Sequence, residues 1–186
     1  MATYDQELLQ AAHRLIRRRK GQRGKLAAAR VRRSMSTSYY ALFHFILDEA
    51  ARTLIGTHND LRPRRRTIAR TFSHAGIKTA LDKIRGQLVD QSVADLLRPR
   101  GTATPQFPAP PFARNLATAF SDVQSKRLEA DYDLNKTVTE ADARLLITRV
   151  RRAVAAWRAA VTTNDKDFKH ALCLLMLLKG QIRREN

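Results

Sequence analysis

The residues predict an all-α chain: a helical bundle with one proline-rich loop. Three observations carry that expectation. Met35, Tyr39, Leu42, Ile46, Ala50 and Leu54 recur at intervals of three or four, which places them on one face of a helix. No segment alternates apolar and polar residues between turn signals, so neither strand nor hairpin is predicted. Five of the six prolines fall within "RPRGTATPQFPAPPF", where helix interior is sterically barred, and they break the helical pattern there. A length of 186 residues with 44% hydrophobic content fits a single domain over 1–186, with 98–111 as a connector inside it.

Taken in order, Leu8, Leu9, Ala12 and Leu15 mark a first helix, closed by Gly21 and Gly24. The stripe through Tyr39 defines a long second helix from about Lys25 to Ile55, roughly 45 Å at 1.5 Å per residue. Gly56 ends it. A shorter helical region over 64–97 is expected to break near Gly76 and Gly86. After the prolines, helix resumes from Phe112 to Asp131. Thr137 and Glu140 have capping-box spacing ahead of a helix that shows Ala143, Leu146, Val150, Val154, Trp157 and Val161 on one face. Asn164 or Asp165 can cap a last helix bearing Phe168, Leu172, Leu175 and Ile182.

Charge is the strongest compositional signal, with a formal net of +18. Residues 1–100 hold 21 Lys and Arg against 8 Asp and Glu, a net of +13, whereas residues 101–186 hold 14 against 9, a net of +5. The excess clusters at Arg17, Arg18, Arg19 and Lys20 and again at Arg62, Arg64, Arg65 and Arg66. Such asymmetry suits a polyanion, because each neutralised phosphate releases counterions. A solvated basic surface is the bland alternative. The runs "KGQRGK" and "RPRRR" are each either a phosphate contact or a plain solvated linker.

Several classes are excluded by pattern. The apolar run "ALCLLMLL" (171–178) is far short of a membrane span, and no apolar segment follows the basic residues as in a secretory signal. A cytoplasmic protein without membrane attachment is therefore expected. Cys173 is the sole cysteine and lies in an apolar stripe, as a buried structural thiol would. The chain has neither a Walker-type phosphate loop nor a His-Glu-x-x-His or clustered His/Asp set, so neither cofactor nor metal is expected. His13 and His170 read as ordinary surface or seam residues.

The long helix can also be read by face. Arg33, Thr37, Tyr40, His44 and Asp48 share one side, and His44 and Asp48, one turn apart, are placed to pair and favour a protonated histidine. Tyr40 and His44 are either hydrogen-bonded residues of a helix seam or groups that face a ligand. Arg127 and Asp131, also one turn apart, are either a surface ion pair or part of a cleft.

The segments "RRSMSTSYYALFH" followed by "LDEAAR", "RTFSHAGIK" (70–78) and "KRLEADYD" (126–133) resemble, in order and spacing, the HEPN superfamily of helical proteins. Small bacterial members are the most similar, and the resemblance covers roughly residues 25–160. It implies an antiparallel, up-down bundle of four or five helices, here with extra terminal helices and the proline-rich loop, usually a homodimer. Many members are metal-independent endoribonucleases, often toxins paired with a nucleotidyltransferase-type antitoxin. The resemblance thus implies RNA as partner, His74 as acid/base and Arg127 as phosphate stabiliser, with Asp131 and Tyr132 orienting them. Tyr40, His44 and Arg33 would line the cleft, with Arg64, Arg65, Arg66 and Arg70 as further binding residues. Active members carry an R-x4-6-H motif, whereas Arg70 and His74 here enclose three residues. A non-catalytic HEPN-like module for dimerisation, partner binding or nucleotide binding is the second class implied.

Overall fold

The structure, a computed structural model, describes residues 3–18, 24, 26–99, 101 and 104–180. Among these are eight α-helices and no strand: α1 (Tyr4–Ile16), α2 (Ala28–Ile55), α3 (Arg62–Ala69), α4 (His74–Arg85), α5 (Ala94–Leu97), α6 (Pro111–Tyr132), α7 (Glu140–Ala159) and α8 (Thr163–Leu177). The all-α expectation holds. Gly21, Lys25 and Ile182 lie outside the described residues. The chain divides into two compact units, Met1–Phe45 with Ala119–Val154 and Ile46–Thr118 with Ala155–Asn186. By these bounds α2, α6 and α7 each contribute residues to both.

The first unit is an antiparallel four-helix arrangement. Ser34 Oγ donates to Ala12 O at 2.8 Å, and the Tyr4 and His44 rings meet edge-on at 4.8 Å, so α1 runs against α2. The Tyr39 and Phe120 rings lie 5.7 Å apart, while Arg32 reaches the last turn of α6, so α6 also runs against α2. Arg149 pairs with Asp122, and Arg18 with Glu140 at 3.1 Å, which ties α7 to α6 and to the end of α1. Met35, Tyr39, Leu42, Phe120, Leu146 and Val150 fill the core.

Two features of this unit come from polar residues. Ser34, Ser36, Thr37 and Ser38 are all buried on α2, where their small size permits close helix approach. Thr37 and Ser38 return their hydroxyls to the carbonyls of Arg33 and Ser34, at 2.7 and 2.9 Å. Arg32 closes the end of α6: Nη1 donates to Ala130 O at 2.8 Å and Asp133 O at 2.9 Å, and Nη2 to Lys136 O at 2.6 Å. One guanidinium thereby satisfies carbonyls that the helix end leaves without intrahelical donors.

The cap of α7 corrects the sequence reading. Thr139, not Thr137, receives the backbone N–H of Asp142 at 3.2 Å, and the Asp142 carboxylate returns to Thr139 N at 2.9 Å. Glu140 instead binds Arg144 and Arg18.

In the second unit, Gly56 ends α2 at a φ of 101°, a backbone state open to glycine. α3 follows after a short turn. The expected break at Gly76 is also corrected. It falls at 70–73, and Gly76 lies inside α4, whose N-cap Ser73 accepts from Gly76 N at 3.0 Å. A Cβ on Gly76 would stand 3.2 Å from the Lys179 backbone, so this glycine serves a close approach. The break at Gly86 is observed. Over 104–110 the proline stretch is non-helical as expected, yet it is anchored: Phe107 and Ala109 are buried, and Phe107 O accepts from Val89 N at 3.0 Å. Thr162 caps α8 in a reciprocal box with Asp165. Trp157 is buried, with Nε1 donating to Glu49 at 3.0 Å. Cys173 is buried too, and burial pushes its thiol up to about 12.

Candidate nucleic-acid interface

α3 has little of its own to hold it together. It buries none of its residues. Its first turn, which begins Arg62-Pro63, contains no carboxylate, so the arginines there sit at the positive end of the helix dipole. Arg62 and Arg66 are four residues apart, as are Arg66 and Arg70. Each such like-charge pair costs about 0.2–0.5 kcal/mol. Arg62, Arg64, Arg66 and Arg70 are exposed and have no carboxylate partner among the described residues. Arg65 differs: its Nη1 donates to Gly56 O at 2.8 Å and His58 O at 2.7 Å, which ties α3 to the end of α2. Thus three of the four arginines expected in this run present unpaired charge, and Arg62 joins them.

A second cluster lies in the first unit, on the facing turns of α2 and α6. Arg127 Nε sits 2.8 Å from Asp131 Oδ2, and Nη2 donates to the Tyr40 hydroxyl at 3.2 Å. The guanidinium carbon is 5.6 Å from the Tyr39 and Tyr40 ring centres and 5.7 Å from that of Tyr132. Ser36 donates to the other Asp131 oxygen. Burial works against the Arg127 charge, but Tyr40, Asp131 and Tyr132 outweigh it and raise its pKa. Burial likewise pushes the Tyr39 hydroxyl up to about 12. The arrangement therefore holds a permanently cationic guanidinium among three aromatic rings. Its Nη1 hydrogen-bonds to none of the described residues.

The i,i+4 geometry of Arg127 and Asp131 was thus readable in advance, whereas the Ser36 contact was not, because it joins residues on different helices. Tyr40 accepts a hydrogen bond from Arg127 across two helices, as a hydrogen-bonded residue of a helix seam does. Tyr132 is 72% exposed. Arg33 is exposed and has no described side-chain partner. His44 departs from the reading of its face: Asp48 is held by Arg52 at 2.6 Å, and burial lowers the histidine's pKa instead of a carboxylate raising it. His74 is the first residue of α4 and belongs to the second unit, as do Arg64, Arg65, Arg66 and Arg70.

Among the described residues, no three His, Cys, Asp or Glu side chains gather as a metal site would require. None of the described helices is long and apolar enough to cross a membrane. An open cavity of about 650 Å³ in the second unit is bordered by Glu49, Arg52, Lys169 and His170. Three of its polar groups are engaged elsewhere: Glu49 with Trp157, Arg52 with Asp48, and Lys169 with the carbonyls of Trp157 and Ala160.

These features define an all-helical protein with an arginine-rich helix exposed to solvent. No family model, curated protein or solved structure matches the chain.

Proposed function

We propose that this chain is a HEPN-like helical protein that binds RNA, with α3 as its phosphate-contacting element. The observation that carries the reading is a helix that buries none of its residues, places Arg62 and Arg64 at its positive end, and leaves these two, Arg66 and the C-capping Arg70 without a described carboxylate partner. Phosphates along a strand relieve both the mutual repulsion and the unfavourable end charge. Arginine suits that task through its bidentate geometry. Binding of a labelled RNA, followed by anisotropy over a range of salt in EDTA, tests this. The affinity falls log-linearly with salt, and substitution of the α3 arginines flattens the slope.

Metal-independent RNA cleavage is a second reading, favoured by a particular pair in the first unit. Arg127 is fixed as a cation, and burial lowers the pKa of His44, one turn along α2 from Arg127's partner Tyr40, which favours the base form. Arginine is suited to stabilising phosphate charge, and a neutral imidazole to accepting a hydroxyl proton. Incubation of total RNA with the protein in EDTA, beside Arg127→Ala, His44→Ala and His74→Ala, decides the matter. Cleavage lost in Arg127→Ala and in either histidine variant supports the nuclease. An intact RNA pool with wild-type protein removes it and leaves the binding reading in place.

A further inference from the structure

We infer that Tyr132 is a stacking platform for an unpaired base, which makes single-stranded RNA the substrate class of this protein. The inference rests on the RNA-binding reading above and deepens it.

Tyr132 ends α6 with most of its side chain exposed, between the exposed Leu128 and Leu134 in the sequence. The ring is not adrift. Arg127 lies over it at 5.7 Å, and that guanidinium is itself held by Asp131 and Tyr40. One contact of the ring is thus fixed by a cation, while its exposed surface is free to take a flat, apolar partner. A base provides such a partner, and stacking tolerates any sequence because every base has a π face. Ordering of the ring by Arg127 lowers the entropy lost when the base arrives.

The surroundings agree with that occupant. Leu128, one turn earlier, and Leu134, just beyond α6, are also exposed, at 47% and 82%. The nearby carboxylates are largely compensated: Asp131 by Arg127 and Ser36, Glu129 by Lys126 at 2.8 Å, and Asp133 by the backbone N–H groups of Asn135 and Lys136. Arg33 stands on the same stripe of α2 as Tyr40, two turns or about 10 Å along the axis. It has no described side-chain partner and is available to a phosphate that flanks the stacked base. In duplex RNA the bases are stacked on one another and withheld from the ring, so the platform selects single strands.

The test compares three strands by anisotropy: a short single-stranded RNA, its base-paired duplex, and an equal-length backbone stripped of its bases. Wild type is expected to bind the base-bearing single strand about tenfold tighter than the stripped backbone. Tyr132→Ala loses that preference, Tyr132→Phe keeps it, and both retain the wild-type salt slope. The inference is overturned if wild type binds the three strands equally, or if the preference survives Tyr132→Ala. A free mononucleotide that displaces the strand as readily as unlabelled RNA would overturn the strand as ligand. Failure of the underlying reading is distinct: wild type would then show no salt-dependent RNA binding at all. Circular dichroism of both variants confirms that the fold is intact, as expected for an exposed side chain.

Discussion

Replacing Arg62 and Arg66 together by glutamine should weaken RNA binding and stabilise the protein. Three guanidiniums on α3 and that of Arg70, which follows it, lack a described carboxylate partner, and a single strand releases about 0.7 counterions per phosphate neutralised. The α3 contribution to the log–log salt slope is then about −2.8, falling to about −1.4 in the double variant. Between 50 and 200 mM salt, those slopes correspond to a loss of affinity of about fiftyfold against about sevenfold. On the stability side, the variant removes the Arg62–Arg66 and Arg66–Arg70 repulsions and the Arg62 charge from the helix start, against the loss of the favourable Arg66 charge in the last turn. That gain is about 0.5–1 kcal/mol, or a rise of about 1–4 °C in Tm. Arg65→Gln is the control with the opposite sign. It forfeits two hydrogen bonds to carbonyls and lowers stability by about 1–2 kcal/mol. Anisotropy titrations and thermal unfolding on the same preparations read both quantities. An unchanged salt slope, or a lower Tm in the double variant, would refute the assignment of α3 as a binding helix.

Two further predictions concern the first unit. Arg32→Ala should lower stability by about 2–3 kcal/mol, since the end of α6 loses its donor, and Arg32→Lys should recover only part of it; denaturant unfolding measures both. His44 has a pKa below its ordinary 6.5 in the folded state, so below pH 6.5 the unfolded chain takes up more protons. Stability should therefore fall as pH drops through that range, and His44→Gln should fall less steeply.

Much of the fold was legible because it rests on local periodicity. The α2 stripe predicted Met35, Tyr39, Leu42, Ile46, Ala50 and Leu54 as one face; the first five are buried, and Leu54, at the end of the helix, is half-buried. Gly56 ends α2 as a positive φ demands. Where the reading slipped, a long-range contact decided. Gly76 was read as a breaker, but the Lys179 backbone requires its missing Cβ. Thr137-Glu140 and Thr139-Asp142 both satisfy the spacing of a capping box, and Glu140 is drawn away by Arg18. The candidate site was legible in part for the same reason. Arg127 and Asp131 share a helix face, whereas Ser36 reaches Asp131 across helices. Arg65 and its neighbours carry the same letter, yet only the turn of α3 decides which of them meets Gly56 O.

The thiol of Cys173 gives the second unit a built-in clock. Buried, and with its pKa raised to about 12, it presents almost no thiolate to a labelling reagent while its surroundings stay closed. Modification then has to wait for a local opening, so the rate of labelling in the native protein reports how often α8 parts from its neighbours. As the chain contains a single cysteine, that reading comes from one known position without any engineered probe.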